Sequence, residues 1–196
     1  MAPKASRNVK NKILDVAHDL LWRDGYKQAS VNNMVAKAGV SKGAFFHYFP
    51  SKQDLADKVM DSYVSEQVFQ SIDKHLSEAH TVKEGLMMWL QDVFDTFGAQ
   101  GFRGGCMVGN FALEMSDHDE HMRERLKKVF LDWENRLTTH LKREQEKLLM
   151  EPRQLARLIL AGLQGAIMTS KVHKDRIRST REFQALAEMI EHMIKG

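Results

Sequence analysis

Residues 45–49, Phe45-Phe46-His47-Tyr48-Phe49, put four aromatic rings and an imidazole just after Ser41, Lys42 and Gly43. Such a set suits contact with a nucleic acid. Lysine attracts phosphate, small residues let a helix approach closely, and rings and imidazole reach thymine methyls, base edges or phosphates. The competing use is packing, with all five rings in the core of a small domain. Other reactive side chains are sparse. Cys106 is the single thiol, which excludes an intramolecular disulfide and a multi-cysteine zinc site. A reducing cytoplasm is the expected setting. Cys106 follows Gly104-Gly105 where a short helix is predicted to begin, a position that favours a thiolate. Arg103 would add to that, as would Lys171 if a later helix brings it close. Cys106 with Lys171 is therefore a candidate thiol sensor; the other reading is a small buried hydrophobe lining a cavity. His118 and His121, in the run SDHDEH, have a spacing that could hold a metal. A serine cap with acids in the first helical turn explains the same letters, and no metal or cofactor is expected. No base and orienter stand near Cys106 at readable spacing, and no glycine loop precedes a helix to cradle phosphate, so no catalytic residue is assigned.

The elements that must carry these residues are helices. Prolines stand only at positions 3, 50 and 152, which leaves long stretches free for helix. Ile13, Leu14, Ala17, Leu20 and Leu21 form one stripe of 3.6-residue period, which predicts a helix over 8–24 ended by Gly25. Ser30 caps a second helix running to Lys37, and Ser41 caps a third over 42–48. The turn Ala38-Gly39-Val40-Ser41 joins those two, which is a helix-turn-helix. Pro50 stops the third helix, and Ser51 caps the next, to about residue 76. Further helices are predicted over 82–98, 106–115, 117 to about 148, 152–173 and 180–195. No strand pattern or repeat is present, so the chain reads as all-α with about nine helices. The division is 1–52, a three-helix unit, and 53–196, a larger helical domain. Charge divides the same way: residues 1–54 hold nine Lys/Arg against four Asp, while the whole chain carries only +3. A basic first quarter on a neutral remainder suits a nucleic-acid-binding unit on a second module. No run of 18 apolar residues occurs, so no membrane span is expected, and the stretch MAPKASRNVKNK lacks the apolar core of a secretory signal.

On a helix over 42–48, Phe45 and Phe49 share one face and should pack inward on Leu14, Leu21 and Met34. Phe46, His47 and Tyr48 cannot all join them. The stretch SVNNMVAKAGVSKGAFFHYFPSKQDL is similar to the N-terminal signature of the tetracycline-repressor-type (TetR) transcriptional regulators. The matching positions are Ser30, Ala38, Gly39, Val40, Ser41, Gly43, Phe45, Tyr48, Phe49, Lys52 and Leu55, and the likeness covers residues 10–56. GCMVGNFALEMS at 105–116 also resembles a segment of some ligand domains of this type. Phe46 departs from the pattern, which usually has Tyr there and so a hydroxyl for a phosphate. The resemblance implies a repressor acting as a two-fold homodimer. Each subunit places the 42–48 helix in the major groove of a double-stranded DNA operator, and a small-molecule effector in the C-terminal domain releases it. Carried over residue by residue, the DNA contacts are Ser30, Asn32, Asn33, Ser41, Lys42, Gly43, Ala44, Phe46, His47 and Tyr48, with Lys52 on a phosphate at the fourth helix's N-terminus. A ligand-independent DNA-binding protein is the principal rival, and an enzyme on a helical scaffold a lesser one.

Two groups of residues remain. Met87, Trp89, Val93, Phe94, Phe97, Cys106, Met107, Phe111, Trp133 and Met168 form a soft aromatic interior with Asn110, Glu114 and Gln164 as polar points. That suits either plain core or an effector pocket for a flat hydrophobic compound. Leu155, Leu158, Ile159, Gly162, Gly165 and Ala166 on one helix, with Phe183, Leu186, Ile190 and Met193 on the last, suit a four-helix dimer seam or packing within the chain.

Overall fold

A computed structural model describes residues 4–195, with side chains from residue 8 onward. Met1–Pro3 of the basic N-terminal stretch and Gly196 lie outside the described residues. The helices are α1 (Lys4–Gln28), α2 (Val31–Ala38), α3 (Lys42–Tyr48), α4 (Lys52–Tyr63), α5 (Gln70–Glu78), α6 (Val82–Ala99), α7 (Met107–Met115), α8 (Glu120–Leu141), α9 (Pro152–His173) and α10 (Arg176–His192). A π-helical segment, Val64–Phe69, joins α4 to α5, so the single predicted helix is one rod with a bulge. The predicted caps Ser30, Ser41 and Ser51 each accept a backbone N–H three residues on, as does Thr81 at the start of α6, whereas the serine of the SDHDEH run, Ser116, ends α7 instead of capping the next helix. Three helices depart from their expected bounds. α1 runs on through Gly25 to Gln28 instead of ending at that glycine. Asp119 caps α8, which gives way to a 3-10 turn after Leu141. Asp175 caps α10 four residues before the expected start, because Lys174 adopts a left-handed conformation that lets the chain reverse at once. Among the described residues the only strand-like pairing is one bridge between Leu148 and Ile194.

α1–α3 pack around Ile13, Leu20, Leu21, Met34, Phe45 and Phe49, all of them buried. The larger domain packs α8 on α9, α9 on α10, α5 on α6, and α6 on α10. One core cluster runs through both units. Their joint is α1 against α7 and α4. α1 kinks at Gly25 (φ 80°, ψ 175°). Such a kink leaves backbone N–H groups without helical partners. The Glu114 carboxylate of α7 accepts them, from Tyr26 N at 2.8 Å and Lys27 N at 2.6 Å. Only glycine serves at position 25: its φ is left-handed, and a Cβ there would stand 2.6 Å from Glu114 Oε2. Lys52 completes the joint, donating to the Tyr26 carbonyl oxygen with its ammonium 4.3 Å from the Tyr26 ring centre.

The second tie is Trp22 of α1, whose Nε1–H donates to the Gly105 carbonyl at 2.7 Å. Gly104 (φ 75°) lies flat against that indole, where a Cβ would fall 2.1 Å from the ring. Asn110 braces the loop, donating to the Gly104 carbonyl at 2.7 Å and accepting from Lys171 Nζ at 3.0 Å.

Glu114→Ala should therefore cost roughly 2–3 kcal/mol, since the carboxylate satisfies two backbone donors. The amides of Tyr26 and Lys27 should exchange faster with solvent. Unchanged exchange at both amides, read by hydrogen–deuterium exchange, would refute the role of Glu114 as the joint.

Candidate nucleic-acid interface and ligand cavity

The α2–α3 pair presents a built surface. Gly39 takes a left-handed conformation (φ 63°), and Val40 N–H closes back on the Val35 carbonyl at 3.2 Å. Ser41 Oγ accepts from Ala44 N at 3.1 Å, and Ser30 Oγ from Asn33 N at 3.2 Å. Both serines thus spend one acceptor as caps and set the two helix starts. The question of the rings resolves along the expected line. Phe45 and Phe49 are buried, and Phe46 is 48% exposed. Phe46 stands edge-on against the Phe45 ring at 5.2 Å between centres. His47 is exposed, Tyr48 is half-buried, and their rings meet edge to face at 4.9 Å. Asn32, Asn33, Lys42 and Gly43 are exposed, and Ala44 is half-buried. Lys52 differs from its expectation: it is half-buried and engaged at Tyr26. Burial holds its ammonium below the usual lysine pKa, with Glu114 opposing that shift.

A cavity of about 200 Å³ lies between α1, the α4–α5 rod, α6, α8 and α9, with the N-terminus of α7 at its wall. Of the expected pocket residues, Trp89, Val93, Phe97, Cys106 and Trp133 line it. The others do not, for reasons of helical phase. On α6, residues 89, 92, 93, 96 and 97 line the cavity, with Gln100 just past its end, whereas Met87 and Phe94 face α10, where Phe94 meets Phe183. α7 presents its end rather than its side. Met107 and Phe111 are fully buried, with Phe111 edge-on to Tyr26, and Glu114 and Asn110 hold backbone. Gln164 donates to Cys106 Sγ at 3.5 Å without joining the lining. Met168 is 51% exposed on the outer face of α9.

The cavity residues missed in the sequence come mostly from α1 and the rod: His18, Asp19, Trp22, Arg23, Tyr63, Gln67, Val68 and Ser71, with Asp92, Thr96, Gln100, Leu163 and Ile167. The available signal was tryptophan: all three in the chain line this one cavity. Its carboxylates are matched internally. Asp19 pairs with Arg23 at 2.7 Å, and Asp92 accepts from Ser71 at 2.8 Å and lies 3.3 Å from His75. Burial pulls the His18 pKa down, with Asp19, Asp15 and Glu66 opposing. The Tyr63 phenol is pushed well above its ordinary pKa, first by burial and then by Cys106, with Met107 N–H bonded to it. Cys106 is buried at that junction. Lys171 does not stand free beside it, because its ammonium is bonded to Asn110.

The expected dimer residues also divide. Leu155, Ile159, Ala166, Phe183, Leu186 and Ile190 are buried within the chain. Leu186 Cδ1 fills the space of a Cβ on Gly162, at 2.6 Å, and the Met193 carbonyl accepts from Leu149 N at 2.9 Å. The outer face of α9 carries Leu158, Ala161, Gly165, Met168 and Val172 instead, spaced by three and four residues. Leu158 and Gly165 are the expected residues that remain on it. A Cβ on Gly165 would meet nothing within 4 Å, and Val172 is 73% exposed. His121 pairs with Asp57 at 2.9 Å. Among the described residues no group of three or more His, Cys, Asp or Glu is placed to hold a metal ion, and no helix is long and apolar enough to cross a membrane.

Residues 13–59 match the family profile described as bacterial regulatory proteins, tetR family, and residues 83–189 match the transcriptional regulator LmrA/YxaF-like C-terminal domain. An uncharacterized HTH-type transcriptional regulator of Lactococcus lactis is 28% identical over 169 residues, 86% of each chain. The HTH-type transcriptional repressor DhaR of Mycobacterium sp. strain GP1 is 25% identical over 178 residues, 86% of this chain and 85% of that one. A TetR regulatory protein from Rhodobacter sphaeroides superposes with a TM-score of 0.83 at 22% identity, covering 94% of this chain and 97% of that one. Regulators of this family bind operator DNA and form dimers. Since the C-terminal match alone spans more than half of its residues, this chain belongs to the TetR family and is a DNA-binding transcriptional regulator.

Proposed function

We propose that the protein is a repressor that grips the two half-sites of a two-fold symmetric operator as a homodimer, in the cytoplasm, and is released when a small molecule fills the three-tryptophan cavity. In this reading residues 1–52 are the DNA-binding unit and 53–196 the effector-binding and dimerisation domain. The observation that carries the effector reading is that α1 belongs to both sites. One face of it, with Ile13, Leu20 and Leu21, supports α2 and α3, while His18 and Trp22 are cavity wall. A ligand that moves Trp22 therefore bears on the angle at which α3 is held. The ligand-independent alternative leaves the cavity without a use.

The DNA contacts are the exposed face of α2 and α3: Ser30, Asn32, Asn33, Ser41, Lys42, Gly43, Ala44, Phe46, His47 and Tyr48. Phosphate attraction rests more on Lys42, which is exposed, than on Lys52, which is engaged at Tyr26. An operator selected from random duplexes should be two-fold symmetric. Replacing Lys42, His47 and Tyr48 together by Ala should weaken it about 100-fold or more, because each phosphate or base contact is worth roughly 1–3 kcal/mol. Lys42→Ala alone should lower the salt slope by about 1. Intact operator affinity of the triple variant in a gel-shift titration would sink the assignment.

The dimer seam runs along the outer face of α9, where the alternating three- and four-residue spacing suits a helix pair and Gly165 permits close approach. Ile177 and Met189 of α10, both exposed, extend it. Met168→Glu with Val172→Glu should give monomers by light scattering, with poor operator affinity. Unchanged dimers would exclude this face.

A second reading has one specific observation behind it: the lone thiol is part of the cavity wall, against the Tyr63 phenol and Gln164. Attack of the Cys106 thiolate on a peroxide O–O bond forms S–OH and releases hydroxide. The polar product no longer fits that buried site, and Trp22 would lose its partner at Gly105. Under this reading peroxide releases the wild type from its operator and leaves Cys106→Ser bound. Equal behaviour of the two proteins would leave non-covalent binding as the mechanism.

A further inference from the structure

The cavity has an open side. Trp89, Trp133 and Leu163 of its wall are buried, whereas Arg23, Thr96 and Gln100 are exposed. There it meets a second hollow, a cleft of about 780 Å³ walled by the late part of α1, the loop between α6 and α7, and the end of α9. Trp22, Arg23 and Gln100 belong to both walls. The charged residues that line the cleft are all cations: Arg23, Arg103, Lys171 and Lys174. Asp19 matches Arg23 at 2.7 Å, and Lys171 spends its ammonium on the neutral amide of Asn110. Arg103 and Lys174 are exposed, and among the described residues no carboxylate pairs with either. Asp175, next to Lys174 in sequence, accepts from Arg178 N at 3.1 Å instead. A cleft lined by one sign of charge concentrates ions of the other sign.

Arg103 also stands on a fixed loop. Phe102 before it has a left-handed backbone (φ 55°), which a side-chain-bearing residue keeps only where its surroundings hold it. The Phe102 ring is buried against Phe94, 5.6 Å between centres, and Gly104 on the other side lies against the Trp22 indole. The cation is therefore presented beside the cavity from an anchored backbone.

We propose that cavity and cleft together take an aromatic carboxylate. The ring lies in the cavity among Trp22, Trp89, Phe97 and Trp133, and the carboxylate passes the exposed Thr96 and Gln100 to reach Arg103 and Lys174 in the cleft. A neutral ring would leave the cations unused, and an anion without an apolar body would leave the cavity unfilled. Guanidinium and ammonium donors both suit a carboxylate. This rests on the reading of the cavity as the effector site, and it names the chemical class of the effector.

The full-length protein is titrated by calorimetry with 4-phenylbutyrate and with 4-phenylbutanamide, a neutral compound of the same shape. The acid should bind the wild type about tenfold tighter or more, as charge-assisted hydrogen bonds do. Added salt should narrow that gap, because the cleft is open to solvent. Arg103→Gln with Lys174→Gln should bring the two affinities to within about twofold of each other and leave that of the amide unchanged. Intrinsic fluorescence follows the ring, since all three tryptophans line the cavity. Equal affinities in the wild type overturn the proposal, as does a gap that survives in the double variant, the absence of binding by both compounds, or heat of binding without a fluorescence change. Should the double variant fail to fold, the wild-type comparison and its salt dependence decide. Gel shifts on the same samples test the effector reading separately. Binding of the acid without release of the operator overturns that reading and leaves the aromatic-acid site standing, whereas release at the concentrations that bind supports both.

Discussion

The Glu114 carboxylate on the Tyr26 and Lys27 amides is the interaction on which the rest of the arrangement depends. α1 is needed on both sides of its kink. Before Gly25 it builds the core under α2 and α3, and after Gly25 it must turn the chain toward α2. A kink of that kind strands backbone donors, which then need acceptors from outside the helix. The match comes from the far domain, 87 and 88 residues away in sequence. Two units that look separable by charge and motif are thereby held as one body, and Lys52 on the Tyr26 carbonyl ties the start of α4 into the same joint.

α7 gains its importance from this geometry. One end, at Cys106 and Met107, touches the cavity wall and the Tyr63 phenol. The other end, at Glu114, holds the turn that leads into α2. A nine-residue helix is short enough to move as a rigid strut. With Trp22 bonded to the Gly105 carbonyl, α1 and α7 are clamped at two points, one beside the cavity and one beside the DNA-binding unit. A change at the first point is mechanically linked to the second without a further element between them.

The same competition between internal packing and outward contact governs α9. One side meets α8 and α10 and takes the bulky residues Leu155, Ile159 and Leu163 into the core. The opposite side keeps Leu158, Ala161, Gly165, Met168 and Val172 at the surface. An apolar stripe on a helix already buried along its other face suits a second copy of the chain better than further packing within it.

Local chemistry settled much of this protein at the level of sequence. Serine caps, the Gly39 turn, Pro50 and the 3.6-residue stripe of α1 act over a few residues, so α1–α3 and the outward set Lys42, Phe46 and His47 were legible directly. The fold class and the helix-turn-helix were legible for the same reason. The cavity was not, because its wall is assembled from side chains on six segments, and a helical wheel cannot say which of two apolar faces lines a cavity. Met87 and Phe94 read like Trp89 and Val93, yet only the packing of α10 against α6 sends the first pair into the core. Glu114 looked like a polar point of a pocket, and only the Gly25 kink, facing it across the domain joint, turned it into a backbone cap. Which side of α9 is outer depends likewise on where α8 and α10 pack. These outcomes follow from long-range geometry, in which the identity of the neighbour decides the role of the residue.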